Sequence, residues 1–263
     1  MNPIFFLLFT LFVLGTAAQP VVSIKKDTVG TSTVTYHTTC FGKTDSSIVF
    51  INVHENENTS VKAAKEILAA AKRYCLVQLK FRHIRFISFT HKGKHFTVDP
   101  NRIFTSKGAA ASLKKNSGGC SEAIFAGALK AVNRLGGNYT DSFITHKNLV
   151  VALHNNTDGE PLSIISYKSG SEAQNAKDVH MNLQQDPDDF FFTTEKSIFN
   201  FLKQKGFNVA LQDNENVLDD GSLSVYAGKN NIPYINIEAQ ENHVAEQKKM
   251  IEAVLEFIAI KHL

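Results

Sequence analysis

The sequence predicts a single α/β domain, with a mainly parallel mixed sheet covered by helices on both faces. Two patterns point there: short, wholly apolar runs rich in β-branched residues, and amphipathic helical periods between them. A third observation is negative, since no repeat, low-complexity tract or Pro/Ser-rich linker divides the chain. At 263 residues the chain is near the upper limit for one core, and its 20 Phe supply aromatic volume to fill it.

Residues 19 to 46 carry several Thr and Ser and read as a loop-like lead. Ser47 to Val53 (SIVFINV) has the branched and aromatic content of a buried strand. From Ser60 to Tyr74, apolar residues at Val61, Ala64, Ile67, Leu68 and Ala71 give one face of a helix. Leu79 to Ser88 alternates and predicts one or two strands, and Ser121 to Leu135 predicts an amphipathic helix ending at Gly136-Gly137. Asn148 to Leu153 (NLVVAL) is another buried strand. Thr194 to Lys205 predicts a helix stopped by Gly206, then short strands at Phe207 to Leu211 and Tyr234 to Ile237, and a terminal helix from Val244 to His262. Residues 170 to 193, with Asp186-Pro187-Asp188-Asp189 and Phe190-Phe191-Phe192, are expected to form a rim or lid.

Ahead of this domain, Ile4 to Leu14 is an uncharged apolar run followed by Gly15, Thr16, Ala17 and Ala18, the pattern of a secretory signal cleaved near Ala18. At about 1.5 Å per residue it covers about half of a bilayer's hydrocarbon core. The expectation is a signal at 1 to 18, a mature domain at 19 to 263, a secreted or periplasmic location and no stable membrane insertion. Export lets disulfides persist, but Cys40, Cys75 and Cys120 allow at most one bridge within the chain. Three sequons begin at Asn58, Asn138 and Asn155.

With 28 basic and 25 acidic residues the formal charge is only +3, spread without long basic runs, which gives little electrostatic reason to bind nucleic acid. Small or peptidic partners are expected. Three apolar strands end on groups able to bind metal or move a proton: IVFINV runs into His54, LVVAL into His154 and YINI into Glu238. Side chains at the carboxyl ends of parallel strands converge on one crevice. Glu57, three residues after His54, can point at the same spot when a turn leads into a helix. Two His and one Glu are the ligand set of hydrolytic zinc, which leaves a fourth position open and needs a separate carboxylate as proton carrier. His54, Glu57 and His154 are therefore the candidate ligands for Zn2+, and Glu238 the candidate general base. Arg102, in the loop Asp99 to Phe104, offers a fork for a carboxylate.

Taken in order, His54-Glu55-Asn56-Glu57, Asn101-Arg102, Leu153-His154-Asn155-Asn156-Thr157 and Glu238 resemble the zinc carboxypeptidase superfamily, especially its succinylglutamate desuccinylase and aspartoacylase branch. The resemblance runs over residues 47 to 263. It implies a zinc carboxypeptidase-like fold, zinc on His54, Glu57 and His154, and Asn101 with Arg102 as receptors of the substrate carboxylate. The stretch Gly221 to Ala227 followed by Ile232 to Glu238 is similar to the segment leading into that family's catalytic Glu. Two features depart from the pattern. Lys94 stands where an oxyanion-facing Arg is usual, which implies Lys94 as a catalytic cation, and Gln212 to Asp220 lacks the usual Tyr, leaving Tyr167 or Tyr226 as substitutes.

The resulting expectation is a secreted zinc hydrolase that cleaves an amide bond next to a free carboxylate, on a small carboxylate-bearing substrate or a peptide C-terminus. The alternatives are a cell-wall N-acetylmuramoyl-L-alanine amidase-like zinc hydrolase and a non-catalytic binding protein on the same fold. A glycan at Asn58 or Asn155 would crowd the crevice, so both are expected to stay unmodified.

Overall fold

The computed structural model describes residues 19–43, 45–159 and 162–263; the expected signal segment lies outside them. The chain opens with two strands, β1 (Val21–Val29) and β2 (Ser32–Cys40), followed by β3 (Ile48–Asn52), α1 (Asn58–Ala71) and β4 (Cys75–Lys80). A small hairpin, β5 (Ile87–His91) and β6 (Lys94–Val98), leads through a 3-10 turn at Pro100–Arg102 into α2 (Ser106–Asn116) and α3 (Glu122–Phe143). Then come β7 (Leu149–Asn156), α4 (Ile164–Ser169), β8 (Ala176–His180), β9 (Phe190–Thr193) and α5 (Lys196–Gln204). The order closes with β10 (Val209–Gln212), α6 (Leu223–Lys229), β11 (Tyr234–Gln240) and α7 (Val244–Lys261).

Nine strands form one mixed sheet in the order β1-β2-β4-β3-β7-β11-β9-β10-β8. Its centre, β4-β3-β7-β11, is parallel throughout, and antiparallel pairings bring in the flanking strands. Alternation along β7 supplies both layers of core: Val150 and Ala152 pack with α2, α3 and α6, while Leu149, Val151 and Leu153 pack with α1, α5 and α7. Helices on both faces explain why the central strands are apolar runs.

Several expectations are corrected. Residues 19 to 46 contain the β1–β2 hairpin rather than a loop; their Thr and Val are β-branched and pack in a sheet, with Val34 and Tyr36 fully buried. Residues 81 to 86 form a loop between β4 and β5, not part of a strand. Residues 170 to 193 are not a lid: β8 and β9 belong to the main sheet, with Phe190, Phe191 and Phe192 buried. The helix expected to stop at Gly136-Gly137 continues to Phe143. A Cβ at Gly136 would stand 2.1 Å from the Ile103 carbonyl oxygen, so the missing side chain brings α3 against the segment after the 3-10 turn. One disulfide joins Cys40 to Cys75, directly paired across β2 and β4, and Cys120 is free and exposed.

Candidate metal centre

His54 follows the end of β3 and Glu57 immediately precedes α1, in a tight turn whose Glu57 N–H donates to the His54 carbonyl at 3.2 Å. That turn turns the three-residue spacing into contact: Glu57 Oε1 lies 2.8 Å from His54 Nδ1. The second imidazole comes from β7, with His154 Nδ1 3.0 Å from Glu57 Oε2 and 3.2 Å from His54 Nδ1. One ligand atom from each of His54, Glu57 and His154 lies within 4.8 Å of the others, and all three residues are buried.

The group fits a cation. His54 Nε2 donates to Asp99 Oδ1 at 2.8 Å, which leaves Nδ1 as the nitrogen turned to Glu57 and His154. Glu57 Oε2 is buried with no polar neighbour but the His154 nitrogen and no settled hydrogen bond, an acceptor aimed into the middle of the group. Burial pulls the His54 pKa down, but the charges of Glu57 and Asp99 and their hydrogen bonds override it and push it up to about 9. Burial pushes Glu57 up, yet the two imidazoles hold it well below the carboxylate range. Asp99 is likewise lowered, the bond and charge of His54 outweighing burial. Each shift reports the same local demand for positive charge at one buried point.

β11 lies beside β7 in parallel register, with Glu238 paired to His154. The pairing puts both side chains on one face. Burial, with the charge of Glu57 adding to it, raises the Glu238 pKa against the attraction of His154, and the Asn236 amide donates to Glu238 Oε1 at 3.0 Å. A buried carboxylate with a raised pKa beside a metal-type site has the properties of a general acid/base.

Asn101 and Arg102 sit in the 3-10 turn that follows Asp99, whose side chain caps it by accepting from the Asn101 N–H at 2.8 Å. Asn101 Oδ1 accepts from the Leu223 N–H at 3.1 Å, so its amide nitrogen is the end left to donate elsewhere. Arg102 donates to the Asn101 carbonyl at 2.8 Å and pairs with Asp220 at 3.4 Å. A cavity of about 330 Å³ lies beside it, lined in part by Asp99, Arg102, Lys115 and Asp220. Tyr167 packs on Phe192 with ring centroids 4.8 Å apart, and burial raises its pKa, with the charges of Glu172, Glu238 and Asp220 adding to the rise. Of the two candidate tyrosines, Tyr167 is the one that feels both Glu238 and Arg102; Tyr226, on α6, packs against the core.

Lys94 is the residue the structure places elsewhere. It opens β6, across from His91, and a side chain at position 118 would meet its Nζ. The cation at the centre is Arg85, whose Nη1 donates to Glu57 Oε1 at 2.9 Å. Sequence reading missed Arg85 because Leu79 to Ser88 looked like strand; the cluster Arg82-His83-Ile84-Arg85 was the available sign of a polar loop. Asn155 points away from His154, its oxygen accepting from the Ser60 N–H and its amide donating to the Ala239 carbonyl, so the sequon nitrogen is already engaged.

No protein-family profile and no curated protein sequence matches the chain. Among solved structures it is similar to thrombin activatable fibrinolysis inhibitor, with 12% identity, a TM-score of 0.48, and coverage of 91% of this chain and 72% of that one. It is also similar to an aspartoacylase family protein from Mesorhizobium loti, with 10% identity, a TM-score of 0.35, and coverage of 87% and 68%. At such distances the reading of the centre rests on its own geometry.

Proposed function

We propose that the protein is a zinc-dependent hydrolase that cleaves an amide bond next to a free carboxylate, in a peptide C-terminus or an N-acyl amino acid. The observation that carries this reading is the convergence of His54, Glu57 and His154 within 4.8 Å, with Glu238 in register beside His154. Zinc at such a site polarises a carbonyl and lowers the pKa of water to about 7. Arg102 and the Asn101 amide receive the substrate carboxylate, exchanging the Arg102–Asp220 contact for a stronger fork. Arg85, about two-fifths exposed, supplies the positive charge for the carbonyl oxygen as it becomes an oxyanion. Glu238 takes a proton from the attacking water and gives it to the amine nitrogen as the C–N bond breaks, so water adds its oxygen to the acyl carbon and its proton to the leaving group.

The test is zinc analysis combined with a hydrolysis screen over C-terminal peptides and N-acyl amino acids. Glu238→Gln is expected to keep its zinc and lose about 100- to 10,000-fold in kcat, while His154→Ala loses the metal. Full activity in Glu238→Gln, or bound zinc in the wild type with no turnover of either substrate class, overturns the reading. Export is part of the proposal: the apolar run at Ile4 to Leu14 and the Cys40–Cys75 bridge both suit an oxidising compartment.

A further inference from the structure

A second cavity, of about 630 Å³, shares no lining residue with the His54–Glu57–His154 group. Its floor is the face of β2 and β4 opposite the one that carries Val34 and Tyr36 into the core, and it presents the hydroxyls of Thr33, Thr35 and Thr39. Thr35 pairs with Lys80 across the two strands. Lys65 of α1 and Arg82 of the 81–86 loop, both exposed, bring to three the cations around the space.

The carboxylate among them, Glu55, is already committed. It is buried, accepts from the N–H groups of Phe81 and His83, and lies 3.9 Å from Lys80 Nζ. Lys65 and Arg82 have no hydrogen bond or ion pair among the described residues. Positive charge is held here against its own repulsion: burial and then Lys80 lower both Lys65 and His37. Arg82 also has a φ of +103°, a backbone setting unusual for a side chain of its size, and Glu55 anchors the loop that holds it there.

We propose that this cavity binds a phosphate or sulfate ester. A tetrahedral oxyanion matches one guanidinium fork, two ammonium groups and the hydroxyls of Thr33 and Thr39, that of Thr35 being donated to the Lys80 carbonyl. The volume lies in the range of small-molecule sites and exceeds what the anion alone fills, and the exposed Val22 on the rim offers apolar contact to the rest of the ester. Arg82 and His83 belong to the loop that carries Arg85 to Glu57, so the occupant would lie beside the metal centre along the chain without entering it.

The inference is independent of the hydrolase reading. The experiment is a calorimetric titration of the full chain with a sugar 6-phosphate and with the matching 6-sulfate, which separates the two esters. Saturable binding of at least one is expected, weakened at least tenfold in Lys80→Gln and in Arg82→Gln and unchanged in His154→Ala and Arg102→Gln. Lys65→Gln gives a third measurement on a residue outside the Glu55 contacts. If neither ester binds saturably, or if binding is lost in His154→Ala or Arg102→Gln while the Lys80, Arg82 and Lys65 variants keep it, the proposal falls.

Discussion

Asp99 settles which nitrogen of His54 is available. By accepting from Nε2 it fixes the tautomer, and by accepting from the Asn101 N–H it ties that imidazole to the turn bearing Arg102. Asp99→Asn is therefore expected to weaken zinc binding about 10- to 100-fold, the usual cost of losing such an outer partner, as read by competition with a chelating dye. Glu238 makes a separate prediction through pH. Burial raises its pKa, so its carboxylate form takes over at a higher pH than in a free glutamate. The acid limb of kcat/KM should lie correspondingly high and vanish in the residual activity of Glu238→Gln. His54, Glu57, His154 and Glu238 were legible in the sequence because a polar group closing an apolar run is a local signal. Arg85 was not, because only the folding of the 81–86 loop over Glu57 gives it a role, and Lys94 drew attention by position along the chain while the hairpin carries it elsewhere.

At the scale of elements, backbone contacts without side chains hold the turn that carries Asn101 and Arg102. Gly136 of α3 lies against the Ile103 carbonyl, and Gly108 of α2 lies against Gly221, which has a φ of +82° and itself faces the Arg102 carbonyl. In an ordinary helix interior Gly→Ala stabilises by about 0.5–1 kcal/mol. Gly136→Ala should do the reverse, lowering the melting temperature and raising KM more than it changes kcat, because the clash pushes on the segment next to Arg102. The periodicity of α3 was readable but its length was not: a glycine pair looks like a helix stop until the neighbour that needs the space is known. The β1–β2 hairpin escaped for a different reason. Thr is polar enough to suggest a loop and branched enough to build a strand, and pairing with β4 decided the matter.

Across the whole molecule, the sheet's parallel centre was foreseeable from alternating strands and helices, whereas its antiparallel margins depend on partners that no local pattern names. The Cys40–Cys75 bridge ties β2, and through it β1, to that centre across a sequence separation of 35. A double Cys40→Ser, Cys75→Ser variant should lose about 3–4 kcal/mol of stability on the chain-entropy account of such a loop, measured by chemical denaturation, while zinc content at low temperature stays the same. The β3–β7–β11 ladder has one more consequence. Because His154 and Glu238 face each other on one rung between two central strands, amide exchange should be slowest there, so the two side chains would stay together while the margins open and close.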